Sequence, residues 1–170
     1  TEAGELIAFN GKSEPISGGD MPSDLGPVRE AYIAPYHRAA LLEDGTLRVW
    51  GRGYDGVSEK GNPEWKAKPA LPDGSTAVAM SSTDITLAVR LDDWQLLAWR
   101  MAHGELEVPE EFAADQIESF VLNLDYLLAV PTGGGRAIAW HYRQPDKPAG
   151  QFPIEEPVRA LRDASLDTLL

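Results

Sequence analysis

Hydrophobic and polar positions along the chain fall into short runs rather than helical stripes. Val28 to Ala34 alternates, His37 to Leu42 turns almost wholly apolar, and Thr46 to Trp50 alternates again. Runs of this length and period predict strands. The Asp44-Gly45 pair between the second and third runs is a hairpin signal, because Gly accepts the positive φ that a tight turn needs. The same grammar returns twice. His37-Arg38-Ala39-Ala40-Leu41-Leu42-Glu43-Asp44-Gly45-Thr46-Leu47-Arg48-Val49-Trp50 lies over Thr86 to Trp99 without a gap, and the frame continues through Leu127 to Trp140. The three Trp residues stand 49 and 41 positions apart. Near the amino end, Ala3 to Phe9 supplies the last part of a copy, with Phe9 in the Trp position. Pro157 to Leu161 and Asp167 to Leu170 supply the first part of one.

Units of this length, with four antiparallel strands labelled A to D, can bury their faces only against neighbouring units, as propeller blades do. The pattern predicts an all-β fold: a single β-propeller domain over residues 1–170 with about four blades of four antiparallel strands. The blade units fall at about 28–76, 77–115 and 116–156, and a fourth joins 157–170 to 1–27. The ring then closes by pairing of the N- and C-terminal strands. Split blades shared in a two-chain eight-bladed ring satisfy the same pattern, as does a piece of a larger ring. Strand D is the faintest element.

Apolar residues make up 43% and charged residues 25% of the chain, a balance that folds rather than stays disordered. The net charge of −12 disfavours nucleic acid and anionic membrane as partners, and favours a neutral or basic protein. With no cysteine there is neither a disulfide framework nor a thiolate metal site, and the redox compartment stays open. No run reaches the roughly 18 apolar residues of a membrane helix, and Thr1 to Glu5 lacks the features of a signal peptide, so a soluble chain is expected.

The motif from His37 to Gly51, followed by Gly53-Tyr54-Asp55-Gly56, resembles the repeat of the regulator of chromosome condensation family. Trp94 stands where that motif has Gly, and Arg100 and His141 stand where it has the glycine after Trp. Units near 41 residues are more similar to the bacterial propellers of the superfamily, including the propeller-type β-lactamase inhibitory proteins. The resemblance implies a protein-binding propeller.

In an up-and-down meander the A–B and C–D connections emerge on one face. That face gathers Tyr36, His37, Asp84 and Asp125 from the A–B loops, and Arg52, Tyr54, Asp55, Arg100, His103, His141, Tyr142 and Arg143 from the C–D loops. Tyr, His, Arg and Asp in this mix suit a protein interface, where aromatic and Arg anchors carry most of the binding energy. Trp50, Trp99, Trp140 and Phe9 share one strand C position and are expected in the core between blades. Asp84, Asp125 and Asp167 recur at the A–B turn, where local backbone capping competes with a carboxylate ring at the channel mouth. Trp94 at a hairpin tip and Trp65 in a Pro-rich segment are candidates for exposure.

Catalytic signatures are thin. Three His residues are scattered over three units, and Gly133-Gly134-Gly135 lies in a hairpin rather than ahead of a helix. Adjacent acids such as Asp92-Asp93, Glu110-Glu111 and Glu155-Glu156 read as solvated charge. The expectation is a protein-binding scaffold, an inhibitor, immunity or adaptor factor, without cofactor or enzymatic activity, with homodimer formation open. A carbohydrate-binding propeller is the alternative, and a hydrolase with its site at the channel is weakest.

Overall fold

The computed structural model describes residues 22, 24–51, 67–114, 116–133, 136–144 and 150–153. They form three antiparallel sheets in chain order. Sheet 1 holds β1 (Val28–Ile33), β2 (Arg38–Leu42) and β3 (Leu47–Trp50). Sheet 2 holds β4 (Ala77–Ser82), β5 (Thr86–Leu91), β6 (Leu96–Arg100) and β7 (Gly104–Leu106). Sheet 3 holds β8 (Ile117–Leu122), β9 (Leu127–Pro131), β10 (Arg136–Trp140) and β11 (Gly150–Pro153). Each is a meander whose neighbours in sequence are neighbours in space. The described part is thus all-β apart from α1 (Glu110–Ala114), a single turn between sheets 2 and 3. Phe112 of that turn is fully buried against Trp140, ring centroids 6.3 Å apart.

The turns repeat with the sheets. Leu42 and Leu91 donate across the β2–β3 and β5–β6 hairpins to the carbonyls of Thr46 and Gln95, at 2.9 and 2.8 Å. The Asp44 and Asp93 carboxylates take the N–H two residues on, at 2.8 and 3.0 Å. Gly45 has φ 82°, and a Cβ there would collide with the Thr76 methyl. Trp94 holds the matching position with φ 74°, so a bulky side chain occupies a left-handed site, its ring under the Arg90 guanidinium at 4.8 Å. One regularity is invisible in the hydropathy pattern. Strands β1, β4 and β8 each shift register at their second residue, and the N–H groups of Glu43, Asp92 and Thr132 reach the carbonyls of Pro27, Thr76 and Gln116 beside that bulge.

The repeat is not gapless throughout. Arg38 pairs with Trp50 and Leu87 with Trp99, twelve residues on in each case, but Leu127 pairs with Trp140, thirteen on. The frame expected to continue through Leu127 to Trp140 therefore carries one extra residue in the third hairpin.

The sheets stack face to face, and period-two alternation sends successive residues to opposite neighbours. Ala39, Leu41 and Val49 of sheet 1 meet Leu87, Val89, Leu91, Leu97 and Trp99 of sheet 2 in one core. Ala88, Leu96 and Ala98, on the other face of sheet 2, meet Ile117, Leu127, Ala129, Ile138, Trp140 and Tyr142 in a second. Trp99 and Trp140 occupy these inter-sheet cores as expected, and Trp50 is equally covered, at 6% exposure. Each fully buried Leu, Ile or Val side chain in these cores contributes about 1.5–3 kcal/mol relative to exposure. The first strands lie innermost, where β4 touches both β1 and β8. One edge N–H on each of β4 and β8 is taken up by the preceding sheet: Met80 N–H donates to the Glu30 carboxylate at 3.0 Å and Leu122 N–H to Ser81 Oγ at 2.9 Å.

Candidate functional site

The A–B and C–D connections meet on one face, as the meander requires. In sheet 2, Met101 N–H donates to the Ile85 carbonyl at 2.9 Å, tying the β6–β7 turn to the β4–β5 turn. In sheet 3 the Tyr142 hydroxyl donates to the Asn123 carbonyl at 2.5 Å, and Arg143 pairs with Asp125 at 2.8 Å. The Tyr126 and His141 rings meet edge to face, centroids 4.6 Å apart. The rim of sheet 3 is thus a connected polar-aromatic cluster. Its ion pair is nearly half exposed, so solvent screens it and it mainly fixes the two side chains in place. The Asp125 carboxylate raises the Arg143 guanidinium pKa further by hydrogen bonding and charge.

Several expected contact residues sit elsewhere than on the surface. His37 and Tyr142 are both buried, at 1% exposure. Tyr142 stands two residues past Trp140 as Met101 stands two past Trp99, and both positions turn back under the A–B loop into the core, Met101 at 2%. His37 lies between sheets 1 and 2, its Nε2 2.9 Å from Ser82 Oγ and its ring stacked on Tyr32 at 6.4 Å. Desolvation pushes its pKa down to about 4, opposed by a hydrogen bond and charge from Asp84. Asp84, His103 and Arg143 are exposed on the face, and Tyr36, Arg100, Asp125 and His141 are partly exposed. Arg52, Tyr54, Asp55, Trp65, Phe9 and Asp167 lie outside the described residues.

The carboxylate ring is corrected by the register. The turns close through Ala34 to His37, Thr83 to Thr86 and Asn123 to Tyr126. Asp84 therefore matches Pro35 and Leu124, while Asp125 matches Tyr36 and Ile85. Nor do these Asp residues cap their turns. Thr83 Oγ1 accepts from Thr86 N–H at 3.2 Å, and Asn123 Oδ1 accepts from Asp125 and Tyr126 N–H at 2.9 and 2.7 Å. Asp125 is left to hold Arg143. Sequence reasoning passed over Tyr126 and Leu124, which stand 40% and 65% exposed at this turn. The signal was the one-residue slip in the third hairpin.

Among the described residues no group of His, Cys, Asp or Glu is placed to hold a metal ion, and no helix is long and apolar enough to cross a membrane. An open depression of about 400 Å³ lies on the opposite face, lined by Asp44, Gly45, Thr46, Leu47 and residues 69–71.

No protein-family model matches the sequence, and no curated protein does. Solved structures do. Human WBSCR16 superposes with a TM-score of 0.52 at 13% identity, over 72% of this chain and 35% of that one. Prp20p of Saccharomyces cerevisiae, the yeast RCC1, superposes with a TM-score of 0.50 at 14% identity, over 92% of this chain and 50% of that one. The fold is a β-propeller arrangement of antiparallel sheets. The chain spans half or less of the length of the structures it matches.

Proposed function

We propose that this protein is a non-enzymatic propeller scaffold that binds another protein through the face formed by its A–B and C–D connections. It would act as an inhibitor, immunity or adaptor factor. The observation that carries this reading is the sheet 3 rim, where Tyr126 and His141 pack together and Asp125 holds Arg143 in a fixed, partly exposed position. A rigid aromatic beside an oriented guanidinium is the anchor chemistry of protein interfaces. The structure of Prp20p is described together with its binding to Gsp1p and histones, which supports protein binding on this fold. The net charge of −12 favours a neutral or basic partner. About four blades, closed by the chain's own termini in a single ring, is the assembly we propose, with similarity to the bacterial inhibitory propellers. The carbohydrate-binding alternative draws less support, because its repeated aromatic and Asp pair is broken by the unlike turn positions of Tyr36, Ile85 and Asp125.

The test is capture of partners on immobilised wild type and on the double variant Tyr126→Ala/Arg143→Ala, with circular dichroism confirming that both are folded. Partners held by the wild type and lost by the variant support the rim. Equal capture by both removes it.

A further inference from the structure

Thr86 opens β5 and Arg100 closes β6, and the two are partners in the pairing, so their side chains lie side by side on one face of sheet 2. Alternation puts them on the face of Ala88 and Ala98, which packs against sheet 3. Thr86 is fully buried, and its hydroxyl oxygen has no hydrogen-bond partner among the described residues. The same holds for Arg100 Nε, although Arg100 as a whole is partly exposed. Buried polar groups are costly to leave unpaired, and folded proteins rarely do so. The neighbouring junction shows what is missing. His37 closes its turn as Thr86 does, and its Nε2 meets Ser82 Oγ at 2.9 Å across sheets 1 and 2. Between sheets 2 and 3 the residue in the place of Ser82 is Leu122, which pairs with Leu127 as Ser82 pairs with Leu87 and offers no side-chain acceptor. No carboxylate compensates. Among the described residues none pairs with Arg100, and Asp125 on the same rim is taken by Arg143.

We propose that Thr86 and Arg100 form a carboxylate subsite that takes an Asp or Glu side chain of the protein partner; this rests on the protein-binding reading above. Arg100 Nε–H can only donate, so the group it lacks is an acceptor, and the guanidinium charge selects an anionic one. A planar fork of N–H donors beside a hydroxyl is the donor set that a carboxylate fills. The surroundings agree in sign. Residues 100–103 and 141–144, which turn on this face beyond the strand C Trp positions, include Arg100, His103, His141 and Arg143 and no acid. A partner of neutral or basic overall charge thus meets the acidic field of the chain at long range and a cationic point at contact. The guanidinium is also an addition of this unit, since the residue after Trp50 is Gly51 where Arg100 follows Trp99. Access comes through Arg100, the exposed member of the pair. Rotation of its long stem, fast for a partly exposed side chain, opens the Thr86 hydroxyl to the same carboxylate.

The probe is acetate, which carries the same carboxylate on a single methyl. It is titrated into the full chain against sodium chloride at equal ionic strength, while the Nε–H resonance of Arg100 is followed by NMR. We expect a shift that saturates at millimolar acetate and is absent in chloride. Thr86→Val replaces the hydroxyl by a methyl of the same shape. It should keep or raise the urea midpoint and bind acetate about tenfold more weakly, through the loss of one hydrogen bond to a charged group. An Arg100 resonance that answers acetate and chloride alike, or neither, would mean an adventitious ion only or no ion at all, and either overturns the subsite. A lowered midpoint in Thr86→Val would do the same, because the hydroxyl would then already be satisfied inside the protein. No partner enters the titration, so its failure and the failure of the rim in partner capture are told apart.

Discussion

Acid stability isolates the packing of one side chain. His37 sits between sheets 1 and 2 with Ser82, Tyr32 and Asp84 around it, and burial holds its pKa at about 4 against an ordinary 6.5. The Ser82 hydroxyl lies 3.0 Å from the Thr86 carbonyl. When it donates there, its oxygen accepts from His37 Nε2–H, which fixes the neutral tautomer. Because the folded pKa is lowered, the unfolded chain binds the extra proton between the two values, and folding stability rises with pH through that window. The contribution is fully present above about pH 6.5 and is lost as pH falls toward 4. At about 1.36 kcal/mol per pKa unit the whole window is worth about 3 kcal/mol, and the step from pH 7 to 4.5 about 2 kcal/mol. Carboxylates titrate over part of the same range, so the measurement is a difference. Urea unfolding of wild type and His37→Gln, which keeps a donor for Ser82, is compared at both pH values. The wild type is expected to lose about 2 kcal/mol more than the variant. Equal losses would falsify the burial argument.

Four further outcomes follow from particular contacts. Trp94→Gly relieves a left-handed backbone at the cost of the Arg90 stacking contact, and should raise stability by roughly 0.5–1 kcal/mol in urea unfolding. Gly45→Ala does the reverse and also strikes Thr76, so a loss of about 1–3 kcal/mol is expected, and an unchanged midpoint would refute the turn geometry. Tyr142→Phe removes the hydroxyl that satisfies Asn123, lowering stability by about 1 kcal/mol and the melting temperature by about 2–4 °C, where an exposed anchor would leave both unchanged. Arg143→Ala should leave the urea midpoint unchanged yet weaken partner capture, and rising salt should slow association with a basic partner.

The strands were legible because each hydropathy run is local: β1, β2 and β3 fall where the Val28–Ala34, His37–Leu42 and Thr46–Trp50 patterns place them, and the Asp44-Gly45 turn needs only its own backbone. The three Trp positions were legible too, since one pattern repeated over three units implies one environment. The rim was readable only as a set of loops. Which loop residues reach solvent depended on the fold of each turn, and His37 and Tyr142 went inward while Tyr126 came out. A one-residue insertion in the third hairpin left the Trp alignment intact but moved Asp125 off the position of Asp84, where it found Arg143. Sequence by itself thus determined the period, the strands and the class of fold, all set by neighbours along the chain. Tertiary structure alone decided which faces are covered, because burial depends on the next sheet and the next sheet is dozens of residues away.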